Sequence, residues 1–197
     1  MKGETAWKRT VVFAVCGSFC TFETVLPQVA RLRCEGWEVL PLLSASAAAL
    51  DTRFGKAEDW KARLTEITGH PPMTDLRQAE PLGPRQMAAA LVIAPCTGTT
   101  LSLLAAGISS TPVTLAAKSL LRSGRPVVVG ISTNDGLSGS APALAALLQR
   151  KQYYFIPFGQ DDSVGKPNSL KADFRLLSET LTEALAGRQL QPLLCRN

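Results

Sequence analysis

Apolar positions along the chain gather in short continuous runs, each closed by glycine, proline or hydroxylic residues, and the stretches between them carry helical spacing. Thr10 to Val15 predicts a first strand that opens into Cys16-Gly17-Ser18. From Phe22 to Cys34 the apolar residues Val25, Leu26, Val29, Ala30 and Leu32 predict a helix, which Gly36 stops. Trp37 to Leu43 predicts a second strand, followed by Ser44-Ala45-Ser46. A third strand, Leu91 to Ala94, ends at Pro95-Cys96-Thr97-Gly98-Thr99-Thr100, and helices are predicted over Thr99 to Ala106 and Pro112 to Arg122. Gly124-Arg125-Pro126 turns into the valine-rich fourth strand, Val127 to Ile131, which leads through Ser132-Thr133-Asn134-Asp135-Gly136 to a helix over Ala141 to Arg150. Tyr154 to Phe158 predicts a fifth strand and Leu170 to Ala186 a terminal helix. The more polar segment Asp51 to Met87 holds a short helix near Glu58 to Thr68, the break Gly69-His70-Pro71-Pro72 and the turn Pro81-Leu82-Gly83-Pro84. A connection of that length is expected to be an insertion or a lid.

Strands alternating with helices predict an α/β fold, a three-layer doubly wound parallel sheet, in a single domain over residues 1–197. Ligands of such sheets bind outside the carboxyl ends of the strands, so the loops at Gly17, Ser44, Thr97 and Ser132 are expected to face one crevice. An apolar strand that runs into small hydroxylic residues and then a helix sets free N–H groups where the macrodipole favours an anion. Two such loops, at Gly17-Ser18 and at Thr97-Thr100, point to a nucleotide-sized ligand.

Composition narrows the classes. Of 197 residues, 46% are hydrophobic and 19% charged, which excludes a disordered or fibrous chain. No apolar stretch approaches the roughly 20 residues that cross a bilayer. The start, Met1 to Arg9, sets basic residues before an apolar run as a secretion signal does, but that run passes through Gly17 and Ser18 and reads as a strand and loop. Five cysteines without a Cys-x-x-Cys pair, and a lone histidine, His70, support neither a disulfide framework nor a metal site and point to a reducing cytoplasm. The net charge of +5 is scattered, with no basic run, so nucleic acid is not the expected partner; a basic pocket for an acidic small molecule suits it better.

Several of these blocks, in the same order, resemble the flavoprotein family of FMN-binding cysteine decarboxylases and related prenyltransferases. The blocks are Gly17-Ser18, the Pro95-Cys96-Thr97-Gly98-Thr99-Thr100 loop and Ser132-Thr133-Asn134-Asp135-Gly136. Within the family the chain resembles the branch formed by the smaller subunits of dipicolinate synthases. That likeness also takes in Thr52-Arg53-Phe54-Gly55, Ala79-Glu80-Pro81-Leu82-Gly83-Pro84, and Ile156-Pro157-Phe158-Gly159-Gln160-Asp161-Asp162 with Lys166-Pro167-Asn168-Ser169. The resemblance implies a Rossmann-like flavoprotein fold, an FMN cofactor, a small dicarboxylate substrate and a homo-oligomer, trimeric or dodecameric. It also implies a larger partner, the A subunit of dipicolinate synthase, that holds NADP, and a place in the mother cell of a sporulating bacterium. This chain has no Gly-x-Gly-x-x-Gly after its first strand, in keeping with that division of labour. The family's decarboxylases carry a histidine before the third strand and a Pro-Ala-Met-Asn loop after the fourth. Here His70 sits well upstream and the loop reads Ile131-Ser132-Thr133-Asn134, so self-contained decarboxylation is not expected. Ser132 stands where the prenyltransferases tend to have arginine, so prenyl transfer is not expected either.

For cofactor contact the candidates are Gly17, Ser18, Ser44, Pro95, Thr97, Gly98, Thr99, Thr100 and Ser132. For Gly17, Ser18, Ser44 and Thr97 to Thr100 the plainer role is a turn or helix cap. Asn134 fits either an Asx turn or contact with a substrate carboxylate or carbonyl. Lys118 and Arg122, four apart on one helix face, fit either a solvated surface or a cationic clamp for a dicarboxylate, with Lys118 and Asn134 the candidate catalytic groups. Cys16 and Cys96 read as small core residues.

Overall fold

The computed structural model describes residues 9–195, and the basic start up to Lys8 lies outside them. Five strands run parallel: β1 (Thr10–Val15), β2 (Glu38–Leu43), β3 (Ala90–Cys96), β4 (Val127–Thr133) and β5 (Tyr153–Phe155). β1 lies between β2 and β3, and β4 follows β3. Every residue of β1 and β3 is buried, which is why their sequences are continuous apolar runs and not alternating ones. Among the helices, α1 (Phe22–Cys34) packs beside α3 (Ala57–Thr68) and α8 (Leu177–Leu185). A second group is formed by α5 (Gly98–Ala106), α6 (Pro112–Leu121) and α7 (Ala141–Leu148). Two short helices complete the set, α2 (Ala45–Ala49) and α4 (Leu76–Ala79).

The C-terminal region departs from the predicted pattern. Phe158–Asp162 and Lys166–Ala172 form an antiparallel hairpin, β6 and β7, and β7 pairs with the end of β4 in the register Ser132↔Lys171 and Thr133↔Leu170. β4 is therefore shared: its first half pairs with β5, its last residues with β7. The predicted terminal helix begins too early because Leu170, Phe174, Leu177, Leu181 and Ala184 happen to follow helical spacing. The alternation of buried Leu170, exposed Lys171 and buried Ala172 is the strand signal that this spacing hides. The fifth strand stops at Phe155, before Pro157, and Phe158 already belongs to β6.

The polar segment between β2 and β3 is bolted down. α3 closes on Gly69 at φ +77°, α4 is held by an Asp75–Gln78 capping box, and Ser119 on α6 accepts from the Gly83 N–H at 2.9 Å while donating to the Glu80 carbonyl at 3.0 Å. Leu82 and Ala79 are fully buried. In place of a lid the segment offers one turn, Thr52–Gly55, closed by backbone bonds of 3.0 and 3.1 Å.

Three chain segments lie along the borders of the sheet. Met73 exchanges backbone bonds of 2.8 Å with Pro41 and Leu43 of β2. The Gln189 amide accepts from the Phe155 N–H and donates to the Phe155 carbonyl of β5, both at 2.7 Å. Phe158 of β6 bonds to Leu193 and Cys195 at 3.0 and 2.9 Å.

Candidate functional site

The carboxyl ends of β1, β3 and β4 open into a cavity of about 940 Å³, at the upper end of the ~300–1,000 Å³ typical of small-molecule sites. Gly17 and Ser18 line it from the β1 loop, Thr97, Gly98 and Thr99 from the start of α5, and Ser132, Thr133, Asn134 and Asp135 from the end of β4. The loops are joined by direct bonds. Ser18 and Ser132 share a hydroxyl hydrogen bond of 2.7 Å, and the Cys16 N–H donates to the Pro95 carbonyl at 3.1 Å.

Thr97 caps α5 by accepting from the Thr100 N–H at 3.3 Å. Gly98 and Thr99 follow it, where helical N–H groups have no partner within the helix. Thr100 turns inward, 8% exposed, and its hydroxyl donates to the Cys16 sulfur at 3.4 Å. Pro95 is buried in β3. Ser44 caps α2 and lies outside the cavity lining, but its neighbour Ser46 abuts the β1 loop: a Cβ on Gly17 would sit 2.6 Å from the Ser46 hydroxyl. Of the nine candidate cofactor contacts, Gly17, Ser18, Thr97, Gly98, Thr99 and Ser132 line the cavity, and Ser44, Pro95 and Thr100 stand behind it.

The two candidate catalytic residues part company. Asn134 lines the cavity, whereas Lys118 lines a separate groove with Arg122 and Tyr153, its Nζ 3.5 Å from the Ser109 hydroxyl. The i, i+4 spacing places Lys118 and Arg122 on one face but does not say which cavity that face meets.

Three features of the cavity go beyond the candidate site residues. Asp135 accepts at Oδ1 from the hydroxyls of Thr133 and Ser140, the latter at 2.8 Å, and a Cβ on Gly98 would come within 2.7 Å of the same oxygen. The Thr133 hydroxyl and then that of Ser140 hold its carboxyl below the ordinary 3.8, against the opposing effect of burial. An ionised carboxylate thus stands at the start of α5 and answers part of its dipole. Phe54 reaches the cavity from the Thr52–Gly55 turn, with the Arg53 guanidinium 4.8 Å over its ring. That turn needs glycine: Gly55 has φ +141° and its Cβ would meet the Trp60 indole nitrogen at 2.9 Å. The β6–β7 hairpin forms a further wall, carrying Asp161, Lys166, Ser169 and Lys171. A helix starting at Leu170 would include Lys171 and keep it from any sheet edge, which is why the helical spacing hides the place of Lys171 beside the Asp161 and Lys166 blocks.

Cys16 and Cys96, beside the loops, are buried; burial pushes the Cys16 thiol up to about 11 and Cys96 well above its ordinary value. Both serve as core residues. Among the described residues no group of three or more His, Cys, Asp or Glu could hold a metal ion, and no helix is long and apolar enough to cross a membrane.

Comparison with known proteins identifies the family and the fold. The profile of the flavoprotein family matches residues 2–143. The B subunit of dipicolinate synthase from Bacillus subtilis (strain 168) is 43% identical over 189 residues, 96% of this chain and 94% of that protein. The crystal structure of the dipicolinate synthase B subunit from Bacillus halodurans superposes with a TM-score of 0.88 at 42% identity, over 97% of this chain and 98% of that one. An FMN-dependent cysteine decarboxylase, SpaF, shares the fold at a TM-score of 0.67 and 23% identity, over 91% of this chain and 98% of that one.

Proposed function

This chain belongs to the flavoprotein family and, within it, to the family of dipicolinate synthase B subunits, and from that premise we propose that it is the smaller subunit of an oxidoreductase that forms dipicolinate. The observation that carries the reading is the cavity at the carboxyl ends of β1, β3 and β4, with two strand-loop-helix elements on one sheet edge. FMN fits these residues. The N–H groups of Gly98 and Thr99, and the one of the Ser18 and Ser132 hydroxyls that accepts in their shared bond, supply donors for it, with Ser44 and Ser46 supporting the Gly17 turn, and Phe54 offers an aromatic face. A bound flavin would supply two-electron acceptor chemistry.

The reaction removes two hydrogens from a dihydrodipicolinate, or two hydrogens and water from a hydroxytetrahydrodipicolinate, to give the aromatic pyridine dicarboxylate. In this reading Asn134 contacts a carboxylate or carbonyl of the substrate, and a larger subunit provides the NADP site that this sequence lacks. The chain itself associates into a trimer or dodecamer. Asp135 favours a second reading: a negative charge already beside Gly98 works against an anion at the start of α5, as in a subunit that stabilises its partner without holding flavin.

The visible absorption of the chain purified without added cofactor, followed by FMN titration of the apo-protein and of Thr97→Glu, tests the flavin. A yellow protein and a weakened Thr97→Glu support it; equal affinities remove this site, and no binding leaves the stabilising subunit. Dipicolinate formation with NADP, with and without the larger subunit, tests the division of labour. Full turnover by the isolated chain overturns it.

A further inference from the structure

Among the described residues, the only lysines or arginines that line the main cavity are Lys166 and Lys171, and both sit on the β6–β7 hairpin. This hairpin lies beyond residues 2–143, where the family profile matches, and within the span shared with the dipicolinate synthase relatives. The sheet ladder fixes where Lys171 stands. It is the register partner of Ser132, so its side chain leaves the sheet beside the serine that bonds to Ser18. The Ser169 hydroxyl donates to the Thr133 carbonyl at 3.2 Å and ties the same strand to β4.

The two ammonium groups converge on one carboxylate. Asp161 Oδ1 accepts from Lys171 and Oδ2 from Lys166, each at 3.1 Å, and the Asp161 side chain is 23% exposed. Both ammonium groups are held on the one Asp161 carboxylate, with Asp162, the register partner of Lys166, standing beside the second lysine. A lysine has three donors and spends one on Asp161, so each ammonium keeps donors for a ligand. Solvated surface lysines would lose entropy on being held this way; here Asp161 holds them already.

We propose that Lys171 and Lys166, positioned by Asp161 and set beside Ser132, form a cationic subsite that takes one carboxylate of a small dicarboxylate in the cavity. The inference rests on the reading of this cavity as a ligand site, but not on FMN. It makes the hairpin the determinant of a doubly charged ligand over a singly charged one. The other carboxylate is left to the remaining donors of the cavity, Asn134 among them.

The test is equilibrium binding of pyridine-2,6-dicarboxylate and of pyridine-2-carboxylate to the full chain by calorimetry, in wild type, Lys171→Gln, Lys166→Gln and the double variant, with FMN titrated separately. Wild type should prefer the diacid. Lys171→Gln should weaken the diacid about ten-fold, as for loss of one charge-assisted bond, while the monoacid changes little. Lys166→Gln, at the exposed end of the strand, gives the same direction with a smaller effect and guards against a folding defect in the first variant. An unchanged diacid-to-monoacid ratio in the double variant overturns the proposal, as does a wild type with no preference or no binding. Failure of FMN to bind while the lysine-dependent preference persists would overturn the flavin reading alone.

Discussion

Ser18 and Ser132 hold their hydroxyl oxygens 2.7 Å apart across 114 positions of sequence. The bond fastens the loop after β1 to the end of β4 and so fixes the width of the cavity between them. Ser132→Ala should cost about 1 kcal/mol of stability, the net worth of one intramolecular hydrogen bond. In a double-mutant cycle with Ser18→Ala the two losses should fall short of additivity. Denaturant titration of the four proteins checks this, and additive losses would mean that the bond carries no stability.

Gly98→Ala reverses the usual preference for alanine in a helix. The added Cβ would come within 2.7 Å of Asp135 Oδ1 and 2.8 Å of the Thr133 hydroxyl. Crowding of that kind costs about 1–3 kcal/mol. A thermal melt should therefore show a lower midpoint, and a stabilised variant would show that the Asp135 loop moves freely.

Thiol labelling should divide the five cysteines. Cys20 and Cys34 are exposed and should react fast, Cys195 more slowly, and Cys16 and Cys96 only on unfolding. Because Cys20 lines the cavity, a bound ligand should slow its labelling and leave Cys34 unchanged. Rapid native labelling of Cys96, followed by peptide mapping, would contradict the packing of β3.

Acid should destabilise the protein in a narrow window. Asp135, Asp161 and Asp173 are held below the ordinary 3.8 by hydroxyl, lysine and arginine donors respectively. Their folded forms release protons more readily than the unfolded chain, so their contribution is complete above about pH 5 and is lost as pH falls through roughly 4 and below. Urea midpoints at pH 7, 5 and 3 should be similar for the first two and lower for the third. Asp135→Asn should show a shallower loss, and an unchanged profile would remove Asp135 from the account.

The parallel core is legible in the sequence because β1, β3 and β4 are buried on both faces and so stand out as unbroken apolar runs. The loops that follow them are legible for the same reason, since a buried strand has to end in something polar. The pairing of β6 with β7 into a hairpin wall is not. Its strands are half exposed, and Leu170 falls into step with the apolar positions of α8, so a period of two passes for a period of 3.6. Lys118 shows the converse limit: helical spacing gives a face, and only the packing of α6 decides what the face meets. Asp135 stands in the sequence beside a turn, but its place over Gly98 is not legible there, because it depends on hydroxyls from Thr133 and Ser140 that the fold brings together.

The covering of the sheet's borders constrains how copies of the chain, or a different protein, can join it. Met73 lies along β2, the Gln189 amide stands in for a neighbouring strand on β5, and Leu193 with Cys195 does so on β6. Strand addition from outside would first have to peel one of these segments away. Assembly through a continuous intermolecular sheet is thereby disfavoured, and helix faces and loops are left as the surfaces on which a stable complex can be built. The same covering guards the folded protein against edge-to-edge aggregation, so a truncation that removes the chain after Gly187 should expose β5 and β6 and show as a loss of colloidal stability before any loss of the core.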